Sequence, residues 1–155
     1  MDEQPYLFVS DTLEYSYRFE SVSDQVIIQK LVLFTATGRT NLYNLALVDE
    51  FSDGELSDTV VSNNDDMRTV LTTVFRIIED FLNRFPTFIV LFQGSDERRN
   101  RLYRMALGRE LKQLTTLYEV RGFINGSFVP FERNQPYESF LIRKRLWNQN
   151  LKKQK

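Results

Sequence analysis

Four arginines, Arg98, Arg99, Arg101 and Arg104, fall within seven positions of the segment GSDERRNRLYR at residues 94–104. Cations at the start of a helix oppose its partial positive charge, whereas the free N–H groups there join with guanidinium groups in favouring an anion. Phosphate is the natural visitor, and Gly94, Ser95, Arg98, Arg99, Arg101, Tyr103 and Arg104 form the candidate site. At 100° per residue, Arg98 and Arg101 share an outer face with Arg109 and Lys112. Arg99 instead projects with Ala106, at the edge of the apolar stripe, where a guanidinium needs a carboxylate, a carbonyl or a bound anion. The competing reading has Asp96 and Glu97 pairing with these arginines and leaves the outer face merely solvated.

The inventory excludes much else. The chain has no histidine and no cysteine, which removes disulfides, thiolate nucleophiles, Cys/His zinc sites and every His-based triad. A histidine-free ribonuclease would need Tyr103 or a carboxylate to move the proton, with Arg98, Arg99 or Arg101 stabilising the phosphorane. The acid pairs Asp65-Asp66 and Glu79-Asp80 make a poor metal site. Adjacent helical residues diverge by 100°, and the two pairs stand about 20 Å apart along a helix axis. No metal and no cofactor is expected, and neither GxxxxGK[ST] nor GxGxxG occurs. Among the 21 aromatic residues, Tyr6, Tyr15, Tyr17, Tyr137 and Trp147 are either core or platforms for unpaired bases. A second basic patch is expected from Arg109, Lys112, Arg143, Lys144 and Arg145, continued by Lys152, Lys153 and Lys155.

These residues need a scaffold, and periodicity supplies one. Alternation over residues 14–22 puts Tyr15, Tyr17 and Phe19 on one face of a strand. Residues 26–36 and 41–51 read as two more strands, the first interrupted by Gln29 and Lys30, and the Asp53-Gly54 turn returns a fourth over 55–62. A helix capped within residues 63–66 carries Met67, Val70, Leu71, Val74, Ile77, Ile78, Phe81 and Leu82 at three- and four-residue spacing until Pro86 ends it. Residues 87–92 form a short apolar strand. Ser95 caps a second helix reaching about Leu114, with Tyr103, Ala106, Leu107, Leu111 and Leu114 inward. Strands at 118–124 and 128–131 flank the Asn125-Gly126 hairpin turn, and a last strand covers 137–143.

The fold class expected is therefore α+β: a strongly twisted antiparallel sheet in the order ββββα-βαβββ. It makes one domain over residues 1–145, with a basic tail at 146–155 that is either a short docked helix or a frayed end. A chain of 155 residues buries roughly two-thirds of its unfolded surface as a single domain. No apolar run approaches the roughly 20 residues of a membrane span. The opening MDEQPYLF does not resemble a secretory signal, so a cytoplasmic location is expected. The net charge of −1 conceals a division. Residues 1–97 hold 6 basic against 17 acidic side chains, net −11, and residues 98–155 hold 14 against 4, net +10. That asymmetry is either a basic face for phosphate-bearing partners or two segments that attract each other once folded.

The run FPTFIVLFQGSDERRNRLYRMAL at 85–107, with PFERNQPYESFLIRKR at 130–145, resembles a family of small bacterial proteins of unknown function. Its pattern is an apolar strand, G-S, two or three residues, then R-x-R-L-Y-R, matched here by Gly94, Ser95, Arg99, Arg101, Leu102, Tyr103 and Arg104. The resemblance covers about the second half of the chain and implies no established activity. The element order also looks like the duplicated ββββα plan of the Whirly and Pur-type single-stranded nucleic-acid-binding folds, in topology alone. The leading expectation is a non-enzymatic module that binds single-stranded DNA or RNA. The alternatives are an acidic protein partner, as in a regulatory or toxin–antitoxin pair, and the ribonuclease.

Overall fold

The computed structural model describes residues 4–11, 14–22, 26–50, 56–57 and 66–145. The strands are β1 (Phe8–Asp11), β2 (Ser16–Val22), β3 (Ile27–Ala36), β4 (Leu42–Glu50), β5 (Leu56–Ser57), β6 (Ile89–Phe92), β7 (Tyr118–Ile124), β8 (Ser127–Pro130) and β9 (Ser139–Lys144), and the helices are α1 (Met67–Arg84) and α2 (Glu97–Leu117). The protein is an α+β single domain. Eight strands form one path, β1-β2-β3-β4-β6-β9-β7-β8, and the two-residue β5 pairs beside β4.

Alternation along each strand sends one set of side chains to the helices. Tyr17 stands opposite Val32 and Val32 opposite Leu47, while farther along the sheet Tyr43 faces Val90, Val90 faces Ile142 and Ile142 faces Val120. Onto this face α1 lays the stripe from Val70 to Leu82, and α2 adds Tyr103, Ala106, Leu107 and Leu114, making one core. At its centre the Phe81 ring stacks on Phe34 with centroids 3.8 Å apart. Truncating such a ring to alanine costs about 3–5 kcal/mol.

Several expectations need correction. The sheet is mixed: β4 and β6 run parallel, because α1 carries the chain across the sheet face and returns it in the same direction, which a hairpin cannot do. An edge strand, β1, precedes the first expected one, and β9 starts at Ser139. Of the fourth expected strand, Leu56 and Ser57 are described and paired with β4. The Asp53-Gly54 turn, residues 63–65 and the tail with Trp147 lie outside the described residues.

Asp66 occupies the cap position of α1 without capping it. Its Oδ2 accepts from the Tyr6 hydroxyl (2.6 Å) and from the Ser21 hydroxyl, tying the helix start to β2. The second acid pair separates: Glu79 meets Arg76, while Asp80 accepts from the Tyr17 hydroxyl (2.6 Å) and pairs with Arg84. The Asn125-Gly126 hairpin is as expected, with φ of 53° and 84° at its two central residues, a primed turn that matches strand twist.

Candidate functional site

The entrance to α2 is set by steric fit. A Cβ at Gly94 would lie 2.2 Å from the backbone nitrogen of Asn100, so only glycine permits strand and helix to approach this closely. The buried Asn100 side chain holds the junction: its Oδ1 accepts from the Gly94 N–H (3.0 Å) and its Nδ2 donates to the Tyr137 carbonyl (2.7 Å). Asp96, not Ser95, is the cap, and its Oδ1 accepts from the Arg99 N–H at 2.8 Å. A carboxylate of the chain itself thus occupies the anion seat at this helix end.

The arginines gather on the flank of α2 instead. Arg101, Arg104 and Arg109 line an open groove of about 840 Å³ together with Arg68 from the first turn of α1 and Arg133 from the β8–β9 connection. Among the described residues its lining contains no carboxylate. Gly108 keeps the floor low: a Cβ there would be 3.5 Å from Arg133 Cγ, so the Arg133 stem lies across the helix at that point. The connection is pinned around the buried Tyr137, whose hydroxyl accepts from the Glu132 N–H (2.9 Å), and Asn134 adopts a φ of 64° within it. Arg133 is therefore presented by an anchored loop.

The five guanidinium groups are not equivalent. Arg104 spans α2 and the loop, donating to the Tyr137 carbonyl (3.2 Å) and to Glu97 (2.9 Å). Arg68, Arg101 and Arg133 are exposed, and none makes an ion pair among the described residues. Guanidinium groups lining a groove with no acid among its described residues focus a positive potential there. Arg98 is exposed on the helix, outside the groove lining.

Arg99 and Tyr103 sit elsewhere. Both line a small cleft of about 30 Å³ between the starts of α1 and α2, above Lys30 and Asp49. Tyr103 is buried, edge-on to Phe92, and does not line the groove.

The second basic patch does not assemble. Arg109 joins the groove and Lys112 is exposed on α2, but Arg143 lies on the opposite face of the sheet, sharing Glu119 with Arg121. Burial pushes the Glu119 carboxyl up, yet the hydrogen bond from Arg121 and the charges of both arginines outweigh it and hold the carboxyl below its usual range. Arg145 donates to the Thr115 carbonyl (3.0 Å). Nor do the tyrosines offer stacking platforms in the groove. Tyr17 and Tyr137 are core, Tyr15 packs edge-on against Tyr43, Phe81, Phe85 and Phe88, and Tyr6 stacks on Phe19.

Sequence reasoning missed Arg68 and Arg133. Arg68 carried a usable signal, since it too is a cation in the first turn of a helix, where the dipole disfavours it. Arg133 carried none beyond its place in a polar turn, because its approach to α2 is a long-range contact.

A family model described as a family of unknown function (DUF6934) matches residues 2–145. No curated protein and no solved structure matches the chain.

Proposed function

The chain belongs to that family of unknown function, so no activity is inherited, and we propose that its arginine groove binds the phosphodiester backbone of a nucleic acid without cleaving it. The observation that carries this reading is the groove lining itself: five guanidinium groups, from α1, α2 and the β8–β9 connection, of which Arg104 also meets Glu97, with no carboxylate among the described lining residues. Planar guanidinium forks match phosphate oxygens two at a time, so arginine suits a site for repeated phosphates. With no described aromatic side chain in the lining, base stacking adds nothing there, and binding is tolerant of sequence. Tyr103, the proton-transfer candidate, belongs to the cleft, which favours a binding role over hydrolysis.

The test is oligonucleotide binding as a function of salt, using mixed-sequence single strands and duplexes. Binding at low salt is expected to weaken linearly on logarithmic axes, with a slope of about −0.7 per phosphate contacted on a single strand. The paired substitution Arg101→Ala and Arg133→Ala lowers affinity and flattens that slope. Absence of binding at 20–50 mM salt, on the order of the lower range where such contacts are strongest, would overturn the proposal. Binding of polyglutamate in its place would transfer the groove to an acidic protein partner.

A further inference from the structure

Among the described residues the eight-strand path ends in β1 on one side and β8 on the other, and the two edges are built differently. β8 is the short arm of a hairpin and finishes at Pro130, whose ring carries no N–H for a further strand. At the β1 edge, the sequence YLFVSD from Tyr6 to Asp11 holds no proline and no lysine, the residues that commonly blunt an edge. Apolar exposure concentrates here. Of seven large apolar side chains exposed among the described residues, five, Leu7, Val9, Val22, Val26 and Ile27, lie on β1 to β3 or immediately before them. Leu7 is 95% exposed and Val9 74%.

Register and alternation fix what this edge presents. Phe8 lies opposite Phe19 and Val9 opposite Arg18, so Phe8 shares the core face with Phe19 while Val9 stands on the outer face with Arg18. The same register carried one residue back puts Leu7 beside Glu20 on that outer face. Leu7, Val9 and Val22 line one open hollow of about 620 Å³ together with Arg18 and Glu20. The Phe34 N–H donates to the Tyr15 carbonyl (3.0 Å), so the odd-numbered positions of β2 bond toward β3 and the even-numbered ones toward β1. Val9, opposite Arg18, therefore bonds to β2, and the backbone groups of Phe8 and Ser10 point away from it.

We infer that β1 pairs antiparallel with β1 of a second copy of this chain across a twofold axis, with Phe8 opposite Phe8 and Leu7 opposite Val9 of the other copy. A twofold matches a patch to itself, and opposed residues must share a face, so the possible centres are few. Centred on Phe8, the triplet Leu7-Phe8-Val9 is its own complement when reversed. Leu7 meets Val9 twice, making a patch of four apolar side chains on the outer face, and the Phe8 backbones supply the central hydrogen bonds. Each outer row then ends in Arg18 of one copy and Glu20 of the other, so no like charges meet across the junction. Centred on Val9, the pairing would set Leu7 against Asp11, an apolar group against an acid. Apolar matching and charge thus select the same register between two copies, a match that an unrelated extended peptide does not share.

The chain has no cysteine, so cross-linking reports the register directly. A mixture of the Leu7→Cys and Val9→Cys variants is expected to form disulfide dimers at least about tenfold faster than either variant alone, because opposed residues hold their Cβ atoms within about 5 Å and diagonal ones stand about 7–8 Å apart. Faster linkage of Val9→Cys with itself, or equal rates in all three samples, overturns the inference. Sedimentation velocity of the unsubstituted chain should show a concentration-dependent dimer in the micromolar range or weaker, as suits an interface below about 1,200 Å². Leu7→Lys, a charge at an exposed edge position, should abolish that dimer and leave the melting temperature unchanged. Monomer alone up to about 1 mM overturns the inference, as does a dimer that survives Leu7→Lys. Neither result bears on the arginine groove, which lies on α2 and not on this edge.

Discussion

Two groups of arginines in this molecule differ less in number than in company. On the outer face of the sheet, Arg18 meets Glu50, and Arg121 and Arg143 share Glu119; between the helices, Arg76 bridges Glu79 and Glu110. Arg68, Arg101 and Arg133 line one groove with no acid among its described lining residues. An arginine bound to a carboxylate braces the fold, whereas arginines gathered without one leave a positive potential that the proposed anion would meet. A charge run along the chain cannot separate these cases, because the acids that matter arrive from other elements.

Removing one partner of the most deeply paired cation should have the largest effect. Lys30 Nζ donates to Asp49 Oδ1 at 2.5 Å, with the two side chains 5% and 7% exposed. Lys30→Met leaves Asp49 buried and unpaired, and urea unfolding should show a loss of about 3–5 kcal/mol, which the added Asp49→Leu restores. A loss below about 1 kcal/mol would place Lys30 with the exposed cations and break the contrast, since surface pairs have that worth. The same unfolding experiment separates architecture from binding at the α2 entrance. Gly94→Ala forces a Cβ into the backbone of Asn100 and should cost about 1–3 kcal/mol as overpacking does. Unchanged stability with lost oligonucleotide binding would instead return Gly94 to the anion site.

Groove substitutions should do the reverse. Arg101→Ala and Arg133→Ala are each expected to leave stability within about 0.5 kcal/mol, as exposed positions do, while oligonucleotide titrations show a shallower salt slope, by up to about 1 per phosphate contact removed. Stability loss from either would reveal a bracing role.

The smallest effect sharpens the contrast through pH. Glu119 has a lowered pKa, so its contribution is present at neutral pH and is lost as pH falls through that lowered value. Glu79 behaves oppositely: burial raises its carboxyl, with Arg76 opposing and Glu110 reinforcing the rise. The folded protein then holds the Glu79 proton more tightly than the unfolded chain, and stability declines as pH climbs from the ordinary carboxylate value toward the raised one. Melting curves across the acid range should show Glu119→Gln flattening the acid-side loss and Glu79→Gln removing the decline on the higher side.

Much of the fold was legible. The three- and four-residue spacing from Met67 to Leu82 forms α1, Pro86 follows its end, and Asn125-Gly126 makes the hairpin, since each depends on neighbours in sequence. The parallel pairing of β4 with β6 was not legible, because strand direction is set by how a connection crosses the sheet. In the candidate site, Arg101, Arg104 and Arg109 were named from spacing on one helix, and Arg99, kept in the expected anion site although its angle differed, lines the cleft and not the groove. Lys30 was noticed only as an interruption of an apolar strand. Its partner Asp49, nineteen positions on, appeared once β3 and β4 were aligned in register.

The α+β character and the absence of histidine and cysteine chemistry were determined by the sequence alone, through composition and local periodicity, and membership in the family through the match over residues 2–145. No helix among the described residues is long and apolar enough to cross a membrane. Tertiary structure decided which cations have partners. It turned Arg143 toward Glu119, gave the α2 entrance to Asp96, and brought Arg68 and Arg133 to the flank of α2. The physical reason is that charges act through distance in space, and folding brings together acids and bases that chain order holds far apart.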